Sequence, residues 1–266
     1  MRSFDALGRK KVVIGLVHLL PLPGTPFFEP GNTERALDKA VRDAIALSQG
    51  GADGCLIQTV DRVYPTGDEA DYARVAAVAA ITRAVAEAVP PAFQIGVQIM
   101  VNALKASAAV AAVCGGSFLR CTALVGATLT PSGVVEAQPL EFLTYRARIG
   151  GNRLKLIAEV ESMHFHWMGE RPVPDVARTA ARMGADAVEV AHPDEVVSNR
   201  LVRDIKRAHP HLPVILGGHT NHENAARRLA EANGAFVGSC LKSGAWDSDI
   251  DAQRVRDYVE IVGGMA

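Results

Sequence analysis

The sequence has neither a long apolar segment nor an excess of charge of one sign. No run of apolar residues reaches the roughly 18 that a membrane-spanning helix needs, and residues 1–10 are too polar for the apolar region of a signal peptide. The formal net charge is -1 at pH 7, so the chain lacks the basic field that attracts nucleic acids and anionic membranes. We therefore expect a soluble, cytoplasmic protein with a small-molecule partner, no nucleic-acid site and no membrane span.

Cysteine is scarce as well. The chain has four cysteines, none in a Cys-x-x-Cys spacing and three of them within apolar runs, which favours buried thiols over disulfides or a zinc site. A Gly-x-Gly-x-x-Gly motif is missing after the first predicted strand, and this weakens the case for an open dinucleotide-binding sheet.

The chain does contain a regular alternation of short apolar segments and helical segments. The alternation occurs eight times with no break in composition, and the apolar segments are typical of parallel strands covered on both faces. The length of 266 residues matches the roughly 250 of a (β/α)8 barrel. We predict one α/β domain over residues 1–266, a single TIM barrel of the phosphate-binding type. The sequence leaves open whether it forms a homo-oligomer.

The stretch 213–244 predicts an anion site. Two strands in succession, 214–216 and 235–237, each end in a glycine turn that is followed by a helical segment. Backbone N–H groups at such turns can converge on an anion, and the loops after strands seven and eight of this barrel commonly hold phosphate. The alternative is a purely structural role, in which the glycines only form tight turns and Lys242 is a solvated helix residue. The candidate phosphate-binding residues here are Gly217, Gly218, His219, Gly238, Ser239 and Lys242.

Alternation along the strands predicts charged side chains inside the barrel. Because strand side chains alternate by two, Glu159 of strand five and Glu189 of strand six project into the same interior. Arg120 would lie beside them, Lys155 below them, and Gln98 near the mouth, where Arg120 and Gln98 could bind substrate. Two carboxylates this close would repel, so that one keeps its proton and can act as a general acid or base. The alternative is an ion-pair network that only fills the core.

Histidines recur at the same predicted end of the barrel. His18 ends strand one, His164 follows strand five, His192 ends strand six, and His219 lies in the turn after strand seven. His18 and His164 join the two glutamates as catalytic candidates. With Glu159, the histidines could also ligate a divalent metal, although no short His-x-x-His or His-Glu-x-x-His spacing supports that. The metal candidates are His18, His164 and His192, and no cofactor is certain.

Other segments complete this prediction. The loop 125–138 is longer than usual and is a lid candidate, and residues 162–173 form a second long loop. Asp53 and Asp186, each in a Gly-Ala-Asp sequence before a strand, are expected at the stability end of the barrel in a structural role.

Residues 14–24, Ile-Gly-Leu-Val-His-Leu-Leu-Pro-Leu-Pro-Gly, resemble the opening signature of the BtpA family, which is named for a photosystem I biogenesis protein. The resemblance implies a TIM barrel related to the phosphate-binding barrels and covers most of the chain. Further segments resemble the family in order: Phe118-Leu-Arg120, Tyr145-Arg146, His164, Glu223-Asn224, and Val237-Gly238-Ser239 with Lys242 and Gly244.

The chain also departs from the family pattern at the barrel mouth, which predicts a divergent member with an altered substrate. After strand two the family has an acidic residue and Asn, where this chain has Gln58-Thr59, and after strand three it has Arg-Asn-Asp, where this chain has Val101-Asn102-Ala103. Around strand five the family has Asp on the strand, which is Glu159 here, and Lys before the histidine, which is Met163 here. After strand six it has Thr-Gly in place of Ala191-His192, and in the strand-seven turn it has Gly in place of His219.

Two functions remain open at this point. The first is an enzyme that binds a phosphorylated small metabolite and works by acid–base chemistry, as an isomerase, epimerase or lyase. The second is a non-catalytic assembly or stabilising factor of the photosystem I biogenesis kind, which the family resemblance implies. Apolar exposure on the loops after strands one and five would favour the second, and a buried acid beside an anion site would favour the first.

Overall fold

Eight parallel strands close into a barrel in a computed structural model, which describes residues 2–162, 166–245 and 247–265. Each barrel strand pairs with the next in sequence, and the last pairs with the first, so the sheet has no open edge. The predicted TIM barrel is thus confirmed. The barrel strands are β1 (Val12–Leu19), β2 (Gly54–Thr59), β3 (Gln94–Gln98), β4 (Phe118–Cys121), β7 (Lys155–Ser162), β9 (Ala187–Ala191), β10 (Val214–Leu216) and β11 (Gly234–Val237).

Helices surround the barrel, and three of them start at a capping aspartate. Asp71, Asp194 and Asp251 each accept a backbone N–H of the first turn of the helix that they precede. Two helices begin later than the sequence predicts, at Tyr72 and Leu104. The helices are α1 (Asn32–Gln49), α2 (Tyr72–Ala88), α3 (Leu104–Cys114), α4 (Pro139–Arg148), α5 (Val173–Arg182), α6 (Glu195–Ala208), α7 (Ala225–Arg228) and α8 (Ala252–Gly263). No helix among the described residues is long and apolar enough to cross a membrane.

Two clusters of buried side chains form most of the core. The larger lies between strands and helices, and the smaller fills the barrel, where Phe4, Phe118 and Phe236 pack with aliphatic side chains. The ring centroids of Phe4 and Phe118 are 5.2 Å apart. Gly96 makes room for this packing, because a Cβ there would lie 2.1 Å from the Phe118 ring. Side chains therefore fill the lower interior of the barrel.

The amino-terminal ends of the strands are tied together by the residues that precede them. Asp53 Oδ2 accepts the Val13 N–H at 2.9 Å, and Asp186 Oδ2 accepts the Leu156 N–H at 2.9 Å. Both aspartates thus have the structural contacts predicted for them. The prediction that Lys155 lies in the barrel interior below the two glutamates is wrong, because its Nζ pairs with Asp186 at 2.9 Å.

A small antiparallel sheet replaces part of the two predicted long loops. β5 (Ala127–Thr130) and β6 (Gly133–Glu136) form a hairpin, and β8 (His166–Trp167) pairs with the other edge of β5. Trp167 Nε1 donates to the carbonyl oxygen of Val125 at 3.1 Å. The lid candidate is therefore a hairpin with its own hydrogen bonds, which the alternation of barrel strands and helices did not predict.

Candidate active site at the upper rim of the barrel

An arginine and two glutamates occupy the interior where β4, β7 and β9 end. Glu159 and Glu189 are directly paired in the β7–β9 register, so their side chains emerge at the same height. Arg120 Nε donates to Glu189 Oε2 at 2.6 Å, and Arg120 Nη2 donates to Glu159 Oε2 at 3.2 Å. Gln98 Oε1 accepts from Arg120 Nη1 at 3.4 Å. The structure thus brings together four predicted site residues, with Glu189 holding Arg120 bidentately.

Glu159 is the carboxyl group whose pKa this arrangement shifts. Burial and, second, the charge of Glu189 raise its pKa to about 8, against the opposing effect of Arg120. A β-bulge follows Glu159, and Ser162 hydrogen-bonds to its side chain. The side chain lines a small cavity of about 10 Å³, together with Thr128 and Trp167 of the small sheet. At pH 7 Glu159 is therefore mainly a neutral acid that the sheet covers.

The pKa of His18 is shifted in the opposite direction, downward. Burial lowers its pKa to about 4, helped by the positive charges of Lys242 and Arg120. The side chain comes from the carboxyl end of β1 and lines an open cleft at the rim. At neutral pH it is an uncharged imidazole that can accept a proton.

The open cleft has a volume of about 650 Å³ and lies where β1, β10 and β11 end. Gly217, Gly218, His219, Gly238 and Ser239 all line it, so the two glycine turns are neighbours. Only glycine fits at 217, because a Cβ there would lie 2.0 Å from Glu189 Oε1. That distance also shows that the carboxylate–arginine network lies directly beneath the cleft. Gly218 has φ +107°, a conformation that side chains disfavour.

Several predicted residues lie elsewhere. Lys242 follows the 3-10 turn Ser239–Leu241 and is 3% exposed, so it is not a solvated helix residue, and it does not line the cleft. His192 turns toward α6, where its Nδ1 accepts the Asp194 N–H at 3.1 Å. His164 lies outside the described residues.

The metal prediction gains no support from the described part of the chain. Within residues 2–162, 166–245 and 247–265, no three His, Cys, Asp or Glu side chains group in a way that could hold a metal ion. Of the three candidates, His18 lines the cleft, and His192 does not.

Arg228 also lines the cleft, and the sequence did not single it out. It lies on α7, which the sequence predicts as a longer helix but which has only four residues. Its Nη1 donates to the carbonyl oxygen of His192 at 3.0 Å, and its Nη2 donates to that of Pro193. An arginine in an Ala/Arg/Leu-rich helical segment is typical of a solvated face, so only the tertiary structure identifies this one.

A second cleft lies at the opposite end of the barrel. It has a volume of about 410 Å³ and is lined by Arg9, Lys10 and Lys11. Lys10 pairs with Asp53 at 2.6 Å, and Lys11 Nζ donates to the Leu229 carbonyl oxygen at 2.7 Å. Both lysines thus have partners at the amino-terminal end of the barrel strands, which is the end opposite Glu159 and His18.

Comparison of the sequence with known proteins gives matches over nearly its whole length. The BtpA family profile matches residues 9–264. An uncharacterized protein of Archaeoglobus fulgidus is 32% identical over 96% of this chain and 100% of its own length. The Photosystem I biogenesis protein BtpA of Synechocystis is 28% identical over 98% of this chain and 91% of its own.

Solved structures of low sequence identity share the fold. Tryptophan synthase from M. tuberculosis has a TM-score of 0.60 at 18% identity, covering 97% of this chain and 94% of that one. N-(5'-phosphoribosyl)anthranilate isomerase from Pyrococcus furiosus has a TM-score of 0.56 at 14% identity, covering 96% and 99%. At these identities the likeness shows the barrel alone.

Proposed function

The chain is a member of the BtpA family, and on that premise we propose that it is an enzyme that acts on a phosphorylated small molecule by acid–base chemistry. One observation carries the proposal. Two titratable groups at the same rim have pKa values displaced in opposite directions, His18 to about 4 and Glu159 to about 8. At pH 7 this gives an uncharged base and a protonated acid, the pair that proton transfer at carbon or oxygen requires.

The phosphate group would bind in the 650 Å³ cleft. The turns at Gly217–Gly218 and Gly238–Ser239 line one side of it, and they leave room for an anion to approach the backbone closely. His18 lines the same cleft. A phosphate held there would fix the rest of the substrate against the imidazole, which turns proton transfer into a step within one complex.

In this proposal His18 takes a proton from the substrate, and Glu159 gives one. Arg120, held by Glu189 and Gln98, positions Glu159 and keeps its repulsion with Glu189 tolerable. Glu159 lies under Trp167 and Thr128, so the small sheet has to move for the carboxyl to reach a substrate. Such a site suits isomerisation, epimerisation or β-elimination, because each needs one group to remove a proton and another to protonate oxygen or carbon.

Deuterium exchange tests the proposal without a known substrate. The protein is incubated in D2O with a cell extract, and the phosphorylated metabolites are followed by mass spectrometry. We expect at least one phosphate ester to gain deuterium at carbon or to be converted. We expect His18→Asn and Glu159→Gln each to slow this by roughly 100-fold or more. Unchanged rates in both variants, or no change in any phosphate ester, would contradict the proposal.

The alternative function is a non-catalytic assembly factor, and one observation favours it. Phe27, on the loop after β1, is 39% exposed, and Met168, after β8, is 49% exposed. Apolar exposure on these two loops is the feature that the sequence analysis connects with this alternative, and the Synechocystis relative is named for photosystem I biogenesis. Complementation of a deletion strain separates the two. An enzyme predicts rescue by Phe27→Ser/Met168→Ser and failure of His18→Asn, whereas an assembly factor predicts the reverse.

A further inference from the structure

Arg228 is a buried cation in the wall of the rim cleft. It is 4% exposed, and two of its guanidinium nitrogens donate to the main-chain carbonyls of His192 and Pro193. Its Nε is buried and has no hydrogen-bond partner in the described part of the chain. A buried N–H without an acceptor is costly, so this donor calls for an explanation.

Arg228 has no carboxylate in direct contact, and Glu195 and Asp194 act on its charge only through space. Buried Arg74 pairs with Asp61, and buried Arg120 pairs with Glu189. For Arg228, no carboxylate lies within 4.0 Å among residues 2–162, 166–245 and 247–265. Because burial disfavours its charged form, its pKa is lowered. Glu195 and Asp194 thus offset only part of the effect of burial, and the hydrogen-bond partners of the guanidinium are neutral carbonyls, so part of its positive charge remains to attract an anion in the cleft.

We propose that Arg228 supplies the positive charge of the anion site in this cleft, and that the site therefore selects a phosphate ester dianion over a carboxylate. This inference rests on the proposed function, which places a phosphate at the same turns. Backbone N–H groups of the glycine turns serve any small anion, whereas a buried guanidinium favours the ligand with the larger negative charge. Lys242, the cation that the sequence suggests, does not line the cleft.

Arg228 could instead be only a brace between α7 and the segment that follows β9. Arg146 provides the matched comparison, because it is 7% exposed and also donates only to main-chain carbonyls. Arg146 lies on α4 and does not line the cleft. A bracing role predicts the same consequences for both arginines, and an anion-binding role separates them.

Calorimetric titration of the full chain with inorganic phosphate, and with acetate at equal ionic strength, tests the inference at pH 8. We expect the wild type to prefer phosphate. We expect Arg228→Gln to weaken phosphate binding by roughly 10- to 100-fold, as for the loss of one charged hydrogen-bond donor. Arg228→Lys keeps the charge but loses the planar guanidinium, so it should bind phosphate more tightly than Arg228→Gln and more weakly than the wild type. Arg146→Gln should lower the melting temperature and leave phosphate affinity unchanged.

The outcomes separate the two proposals. If Arg228→Gln binds phosphate like wild type, or if Arg228→Lys is as weak as Arg228→Gln, the role of Arg228 is wrong while the phosphate cleft stands. Equal affinity for acetate and phosphate overturns the selection of a dianion. Absence of phosphate binding by the wild type, or binding that Ser239→Asp does not weaken, overturns the phosphate cleft itself. Should Arg228→Gln fail to fold, the side-chain ¹⁵Nε–H resonance of Arg228 in the wild type decides: a saturable shift on addition of phosphate supports the inference, and no shift overturns it.

Discussion

Replacing Glu159 with Gln should make the free energy of unfolding less sensitive to rising pH. The folded-state pKa of Glu159 is about 8, against 4.5 for the ordinary group. Because the folded state then binds more protons than the unfolded state between these values, stability is complete below pH 4.5 and falls until about pH 8. At ~1.4 kcal/mol per pH unit, the whole window corresponds to about 5 kcal/mol. This is an upper bound, since rearrangement of Arg120 and entry of water would relieve the buried charge.

The effect of Glu159 on the free energy of unfolding can be measured separately only in the upper part of this pH range, because His18 titrates in the lower part. Its folded pKa of about 4 lies below its ordinary 6.5, so the folded state binds fewer protons there, and stability rises with pH between these values. The two groups therefore oppose each other below pH 6.5. Above it only Glu159 of this pair still titrates, and the stretch from pH 6.5 to 8 corresponds to at most about 2 kcal/mol.

Urea unfolding of wild type and Glu159→Gln at pH 6.5 and 8.5 checks this. Gln keeps the shape and cannot ionise, and groups elsewhere contribute equally to both proteins. The free energy of unfolding of wild type should therefore fall relative to the variant by about 1–2 kcal/mol over this interval. If the two free energies of unfolding change in parallel, Glu159 does not hold its proton in the folded protein, and its assigned role as an acid is wrong.

Three further predictions follow from the same contacts. Gly217→Ala places a Cβ 2.0 Å from Glu189 Oε1, and thermal unfolding should show a loss of about 1–3 kcal/mol, which a wild-type melting temperature would contradict. Tyr258→Phe removes a buried donor to Thr220 Oγ1 at 2.7 Å, and urea unfolding should show a loss of about 1–2 kcal/mol, with no change counting against that bond. Once a substrate is known, kcat/KM should fall above about pH 8 as Glu159 loses its proton and below about pH 4 as His18 gains one. A flat profile between pH 7 and 9.5 would remove Glu159 from the mechanism.

The upper-rim network could be predicted because strand alternation is a local property. Once residues 154–161 and 187–191 are assigned as neighbouring strands, the period of two places Glu159 and Glu189 on one face, and their pairing in the register bears this out. The same reasoning puts Gln98 inside the barrel, where it contacts Arg120. Period and strand order together were enough for this part of the site.

The remaining features depend on contacts between distant segments. Lys155 fits the interior pattern, yet it lies at the start of its strand, where Asp186 is the nearer partner. β8 pairs across 36 residues with a hairpin edge, and no local pattern indicates that partner. Lys242 and Arg228 resemble solvated helix residues in sequence, and only packing shows that both are buried.

Phosphate binding to the amide groups of the two glycine turns is the central claim, and NMR chemical-shift perturbation tests it most directly. In ¹H–¹⁵N spectra of the labelled protein titrated with inorganic phosphate, the largest saturable shifts should fall on Gly217, Gly218, Gly238 and Ser239, which line the rim cleft. If those amides stay in place, or if the largest shifts fall on Arg9, Lys10 and Lys11 around the cleft at the opposite end, the rim cleft is not the phosphate site.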